Sequence, residues 1–297
     1  MTSSKKNVRS KKQEKNLTND ERIARKIKRV KWQQQISPVG LKSKDLAKKL
    51  SQPQTLWGVF FKSLGIVAWL IASLLLSAIM TVITLMICGQ DVRKFDNLSL
   101  ILVNAMLMAL FLFMAVILPA LIKARKYKGT DFNSKRATLQ LLGLDRLPKL
   151  VDLSTWAKLT PAFYAVLIVV TLILSLIVSQ NVLNQTQDLG FKTTNNSPIE
   201  LLAIMVMLAL FTPICEELIM RGFLYGRLRQ MMKFLPAAIV TSLLFAIAHM
   251  QINVGIMTFI LSFFACYMRE RTGAIYAGIG LHITANLIAS LLLFMPR

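Results

Sequence analysis

Apolar residues gather in seven stretches along the chain, at about 64–88, 98–122, 162–180, 199–215, 234–250, 253–268 and 273–295. The hydrocarbon core of a bilayer is about 30 Å thick, so a helix needs roughly 20 apolar residues to cross it. The first, second and last stretches meet that length unaided. The fourth runs past Pro213 into a charged motif, and the pattern predicts that its helix continues to about residue 230. Only Met250, Gln251 and Ile252 separate the fifth stretch from the sixth, and both are short. They must form a tight helical hairpin or be buried against the other helices. The fold class is therefore all-α, a polytopic transmembrane bundle of six to eight membrane helices. Seven spans, or six with a re-entrant element, satisfy the pattern equally.

Composition agrees. Of 297 residues, 55% are hydrophobic, above the roughly 45–50% of an ordinary soluble domain. The formal net charge of +22 is unevenly spread, and residues 1–50 carry 16 Lys and Arg against 4 Asp and Glu, a net +12. No nucleic-acid-binding motif accompanies that charge, so no nucleic-acid partner is expected. The tail suits an inner membrane leaflet, whose anionic lipid headgroups attract Lys and Arg. Ile23, Ile27 and Val30 recur at helical spacing among its cations. The tail is thus either disordered or a basic amphipathic helix on the membrane surface. No apolar run begins before about residue 56, so no signal peptide is visible. The three cysteines, Cys88, Cys215 and Cys266, are odd in number and far apart, which argues against a disulfide framework. Cys215, beside Glu216, reads as a small buried membrane residue rather than a nucleophile.

The loops repeat the charge asymmetry. Residues 123–160 hold nine Lys or Arg against three Asp, while 181–198 hold only Asp188 and Lys192. If the spans alternate, Arg227, Arg229, Lys233, Arg269 and Arg271 fall on the same side as 123–160. Cytosolic loops are enriched in Lys and Arg, so that side and the N-terminus are expected in the cytosol. The predicted organisation is a basic cytosolic tail over 1–55, two transmembrane helices over 56–122, an amphipathic cytosolic loop over 123–160, and a membrane core over 161–297. Within the loop, LQLLGLDRLPKL mixes leucines with charges and Trp156 precedes the third span, so an interfacial helix is expected there. The composition looks bacterial, and the expected location is the plasma membrane.

Candidate chemistry is confined to the core. The chain has only two histidines, His249 in FAIAHM and His282 in GLHITANL, and both fall in membrane-grade sequence. Ionisable groups inside a bilayer are costly, so each is by default a site hypothesis. Upstream, CEELIMRG carries Glu216, Glu217 and Arg221. Glu217 and Arg221 are four apart, share a helical face and can form an ion pair. Glu216 points about 100° away. One carboxylate is then neutralised and held while the other stays free, the division of roles that a general base needs. Phe245 and His249 are again four apart, as are His282 and Asn286, and Gly278 and Gly280 allow close helix approach before the second pair. Measured from the nearest basic residue at 1.5 Å per residue, Glu216, His282 and His249 lie roughly 20, 16 and 24 Å deep. Modest tilts let the three meet near mid-membrane.

Singly, each feature has a plainer reading. A lone membrane histidine bridges helices as often as it catalyses, an i,i+4 ion pair is usually structural, and an asparagine in a span is usually interhelical glue. Their coincidence, in a chain with no other histidine, is what counts. The three motifs E-E-x-x-x-R, F-x-x-x-H and H-x-x-x-N, filled here by EELIMR, FAIAH and HITAN in that order, resemble the CAAX-protease and bacteriocin-processing (CPBP, Abi) family of intramembrane proteases, related to the type II CAAX prenyl endopeptidases. The resemblance covers about residues 198–295. It implies a helical bundle with a cavity inside the membrane, in which Glu216 activates water. His249 and His282 would position that water or bind a metal, and Asn286 would steady the oxyanion. Glu217 and Arg221 would hold the glutamate helix, and Phe245 would pack beside the site.

Two matters stay open at this level. Glu216, His249 and His282 suffice as ligands of a catalytic zinc, yet Glu216 could not then serve as the base, and no H-E-x-x-H motif is present. A metal-independent glutamate is the simpler arrangement. The expected substrate is a peptide or membrane protein cut close to the bilayer, as in bacteriocin maturation. The rival readings are a non-catalytic scaffold or immunity protein and a proton-coupled transporter, although no inverted repeat supports the latter.

Overall fold

The computed structural model of the protein describes residues 55–91, 94–126, 138–183, 185 and 197–294. The basic tail, with its pattern at Ile23, Ile27 and Val30, lies outside them. Among the described residues all regular structure is helical. In chain order the long helices are α1 (Leu56–Ile87), α2 (Asn97–Ile122), α3 (Leu150–Ile177), α4 (Pro198–Arg229), α5 (Phe234–Ala248), α6 (Ile252–Thr272) and α7 (Tyr276–Phe294). Six are long and apolar enough to cross a membrane, and α5, with 15 residues, is not. Its length is about 22 Å at 1.5 Å per residue, short of the roughly 30 Å core. The protein is a multi-pass membrane bundle with one short apolar helix.

Caps explain where the helices begin. Thr55 Oγ1 accepts from the Gly58 amide (3.2 Å), so α1 starts well before its apolar stretch and carries Trp57, Phe60 and Phe61 in mutual ring contact. Aromatic rings of this kind favour the membrane–water boundary. At α3 the Asp152 carboxylate accepts from the Lys149 amide at 2.7 Å and is gripped by both Arg146 Nη groups. Trp156 therefore belongs to α3 itself. Ser197 and Glu200 cap one another's amides at the start of α4, and that helix continues through the glutamate pair to Arg229 as the pattern predicts.

Burial is inverted on α1. Its buried residues are Ser73, Ser77 and Thr81, while Leu74, Ile79 and Ile83 are exposed. Each hydroxyl donates to the carbonyl four residues back, at 2.7–2.9 Å, so no polar group is stranded. Small residues at the seam let α1 approach α2 closely, and the apolar face turns outward to lipid. The inner layer is built differently. Helices α5 and α6 form a tight hairpin, one of the two arrangements the pattern allows, turning at Met250, whose φ is +55°. Helix α6 also packs on α3, α4 and α7, around Phe163, Phe245, Leu261, Cys266 and Leu281.

Three segments widen to i→i+5 hydrogen bonding: Phe113–Ile117 in α2, and Met207–Phe211 and Leu218–Tyr225 in α4. Such π turns disturb the regular ladder and concentrate at functional sites. Each contains one carbonyl that accepts from a side chain on another helix. Trp69 Nε1 of α1 reaches Ala115 O (3.2 Å), Asn286 Nδ2 of α7 reaches Leu208 O (2.9 Å), and Arg269 Nη1 of α6 reaches Gly222 O (3.2 Å).

Candidate active site

Glu216 and Glu217 close the last α-helical turn of α4 before its second π segment. Glu217 and Arg221 are both wholly buried, with Glu217 Oε1 3.0 Å from Arg221 Nη1, the pairing that the spacing predicts. The same oxygen lies 3.0 Å from His282 Nδ1, across from α7. Glu217 thus orients an imidazole as well as answering a charge, a role that spacing along α4 does not display. Glu216 turns the other way. Its carboxylate is 18% exposed, and Oε2 lies 3.5 Å from His282 Nε2. His282 sits between the two carboxylates, one nitrogen toward each.

The Arg221–Glu217 contact is one of charge rather than an aligned hydrogen bond, since no Arg221 N–H is directed at an acceptor among the described residues. The guanidinium instead lies over the Phe245 ring, 4.7 Å from its centroid, where the electron-rich ring face attracts a cation. Phe245 also meets both imidazoles edge-to-face, at 4.8 Å for His249 and 5.8 Å for His282. One ring spaces the arginine and the two histidines.

His249 terminates α5. Its Nδ1 lies 2.8 Å from Phe245 O. A carbonyl only accepts, so Nδ1 carries the hydrogen and the neutral ring keeps a lone pair at Nε2. Together with Glu216, it lines a cavity of about 250 Å³ whose walls include Met108 and Phe111 of α2, Met220 of α4 and Phe245 of α5. The cavity is largely apolar, with one carboxylate and one imidazole. Asn286, a turn beyond His282, gives one amide hydrogen to Leu208 O, and an amide nitrogen has a second.

The structure therefore brings Glu216, Glu217, Arg221, Phe245, His249 and His282 into one constellation and ties Asn286 to its flank. Sequence reasoning did not single out Met108 and Phe111, whose apolar span looks like any other. Trp156 was read only as an interfacial residue; its Nε1 donates to Thr284 (3.2 Å), and its ring rests where a Gly280 side chain would begin. Arg269 was read only as a marker of sidedness.

As a zinc site the set is incomplete. Both histidines have Nδ1 engaged and Nε2 left over, as zinc ligands usually do. Yet among the described residues no three of His, Cys, Asp or Glu are grouped closely enough for one ion. The residues as placed do not make a three-ligand set.

Gly278 shows how tightly α7 is seated. A Cβ there would fall 3.0 Å from Glu217 Oε2 and 3.3 Å from the Ala265 methyl. Gly278→Ala is expected to lower stability by about 1–3 kcal/mol, the usual cost of overpacking. Thermal unfolding in detergent checks this, and an unchanged midpoint would show that α7 has room to move.

Comparison with known proteins bears on the same region. Residues 198–288 match the family model of the Rce1-like type II CAAX prenyl endopeptidases. This core is similar to the CAAX-protease family. The matched region takes in all seven motif residues, from Glu216 to Asn286, and leaves α1–α3 outside it. At family level the Rce1-like match suggests an endopeptidase working within the membrane. No curated protein and no solved structure matches the chain.

Proposed function

We propose that this chain is an intramembrane endopeptidase in which Glu216 activates water against a peptide bond. One observation carries the reading: buried Glu217 fixes His282 through Nδ1, so that Nε2 faces Glu216 at the edge of an apolar cavity. With the Nδ1 hydrogen directed at Glu217, His282 Nε2 and Glu216 Oε2 are both acceptors. At 3.5 Å they can share a water that donates one hydrogen to each. A water so held keeps a lone pair for attack.

On this reading four side chains carry the reaction: Glu216, His282, Asn286 and His249. Glu216 takes a proton as the water oxygen bonds to the scissile carbonyl carbon, and the carbonyl electrons move onto its oxygen. The free amide hydrogen of Asn286 stabilises that oxyanion, a contribution commonly worth 10²–10³-fold, or about 3–4 kcal/mol. His249 Nε2, an acceptor on the far wall, takes a hydrogen bond from the substrate's amide N–H. As the C–N bond breaks, Glu216 returns its proton to the leaving nitrogen, giving a carboxyl and an amine terminus. The apolar walls exclude competing water.

The substrate class is a peptide or membrane protein cut near the bilayer, which the cavity's apolar walls and the resemblance to bacteriocin-processing proteases support. The loop charges favour a cytosolic N-terminus at a bacterial plasma membrane, with the tail held by anionic headgroups. The test is to reconstitute the full chain in liposomes with membrane peptides in ¹⁸O-labelled water. New termini carrying one ¹⁸O are expected, at a rate that chelation leaves unchanged. No new terminus would end the protease reading. Activity lost on chelation and restored by zinc would turn Glu216, His249 and His282 into ligands.

A further inference from the structure

Among the described residues the most deeply buried cation outside the motifs is Arg269, near the basic end of α6 and 1% exposed. A buried guanidinium is costly unless its donors are used. This one bridges two backbone segments distant in sequence. Nη1 donates to Gly222 O at 3.2 Å, inside the π segment that begins directly after Glu217. Nη2 donates to Leu141 O in a very short hydrogen bond. The guanidinium also lies 5.6 Å from the Tyr225 ring centroid.

Leu141 belongs to the stretch between α2 and α3, whose described part, residues 138–149, is docked on the basic end of the core. Leu141 and Leu142 are buried. Gly143 O accepts from the Ile275 amide (3.3 Å), Arg146 Nη2 donates to Thr272 O (2.9 Å), and Tyr276 donates to Arg146 O (2.6 Å). Gly226 of α4 faces the same stretch so closely that a Cβ would stand 2.6 Å from Leu141 O.

We infer that Arg269 is a positioning residue for the glutamate pair. It couples the seating of residues 138–149 to the π turn that carries Glu217 toward His282. A π turn leaves a carbonyl without its regular partner, and Arg269 supplies one from the guanidinium that holds Leu141. While the stretch is seated, the fork is anchored at both ends and the turn keeps its wide pitch. When it lifts, Gly222 O loses a fixed partner, and the turn can tighten and rotate Glu217 away from His282 Nδ1. Displacement of this stretch then acts on water activation without touching the cavity.

This rests on the proteolytic reading, so the test has a readout that does not. The full chain in liposomes is compared with Arg269→Gln, Arg269→Lys, Gly226→Ala and, as a charge control, Arg271→Gln. Arg271 is exposed and donates to Tyr267 at the same helix end. Amide hydrogen exchange over residues 218–226 is expected to rise at least tenfold in Arg269→Gln and Gly226→Ala, and to stay unchanged in Arg271→Gln. Arg269→Lys, a single point donor that cannot span both carbonyls, should keep the fold and show an intermediate rise. Per mole of folded protein, kcat should fall at least tenfold with KM within twofold. Arg269→Gln with Gly226→Ala should be no worse than either alone, because both break one link.

Unchanged exchange in both variants would overturn the coupling, whether or not the protein cleaves anything. So would normal kcat in the folded fraction, or losses that multiply in the double variant. A wild type with no cleavage, yet with exchange responding as expected, would sink the protease reading and leave the coupling standing.

Discussion

Glu216→Gln is expected to abolish proteolysis while leaving the fold in place. Glutamine has nearly the same shape, so the cavity wall keeps its contour, but it cannot take a proton from water. Loss of a general base commonly reduces rate by about 10²–10⁴-fold. The fold should survive because Glu216 is the partly exposed carboxylate of the pair and makes no contact with Arg221. The measurement is peptide release from cells or liposomes carrying wild type or variant at matched levels, with thermal unfolding run alongside. Equal cleavage by the two would remove Glu216 from the base role. Loss of cleavage together with loss of protein would return the site to a structural one. Glu217→Gln is the informative contrast, since Glu217 is fully buried between Arg221 and His282.

Much of this was legible before any coordinates, and the reason is physical. In a bilayer the cost of burying charge leaves few ionisable groups, so the ones that remain stand out. Glu216, Glu217, Arg221, His249 and His282 were all nameable on that ground, and helical spacing correctly paired Glu217 with Arg221. What spacing could not convey was contact between helices. The bond from His282 to Glu217 joins residues 65 apart in sequence, and it changes Glu217 from a neutralised bystander into the group that sets a tautomer. The cavity walls from α2 were equally hidden, because Met108 and Phe111 carry no signal distinguishing them from lipid-facing neighbours.

The helix starts illustrate a different limit. Hydropathy placed the third span near residue 162, whereas α3 begins at Leu150. Twelve residues of mixed polarity are helical because Asp152 caps the first turn and Arg146 fixes Asp152. Apolar density reports the part of a helix that meets lipid, and caps decide where it starts. The π segments in α4 are less legible still. No residue type marks them, and their evidence lies in donors from elsewhere, such as Asn286 on Leu208 and Arg269 on Gly222.

Arg221→Ala should be the most destabilising single change in the core. The arginine is wholly buried, touches Glu217 at 3.0 Å and lies over Phe245. Removing it leaves the Glu217 carboxylate in a site with no solvent, with Oε2 already lacking a hydrogen-bond partner among the described residues. Breaking a buried pair from one side typically costs about 3–5 kcal/mol, because the remaining charge is uncompensated. The truncation also removes the cation from the Phe245 face, so the spacing of His249 and His282 around that ring loosens. Activity should therefore fall further than the folded fraction alone accounts for. Two companions separate charge from shape. Arg221→Lys keeps the charge but cannot lie flat on the ring, and should recover part of the stability. Glu217→Ala combined with Arg221→Ala leaves no lone charge and should unfold at a higher temperature than Arg221→Ala alone. If Arg221→Ala shifts stability by less than about 1 kcal/mol, the pair is not what seats the glutamate turn. The alignment of Glu217 with His282 would then have to come from α7, where Gly278 already holds the helix against the carboxylate.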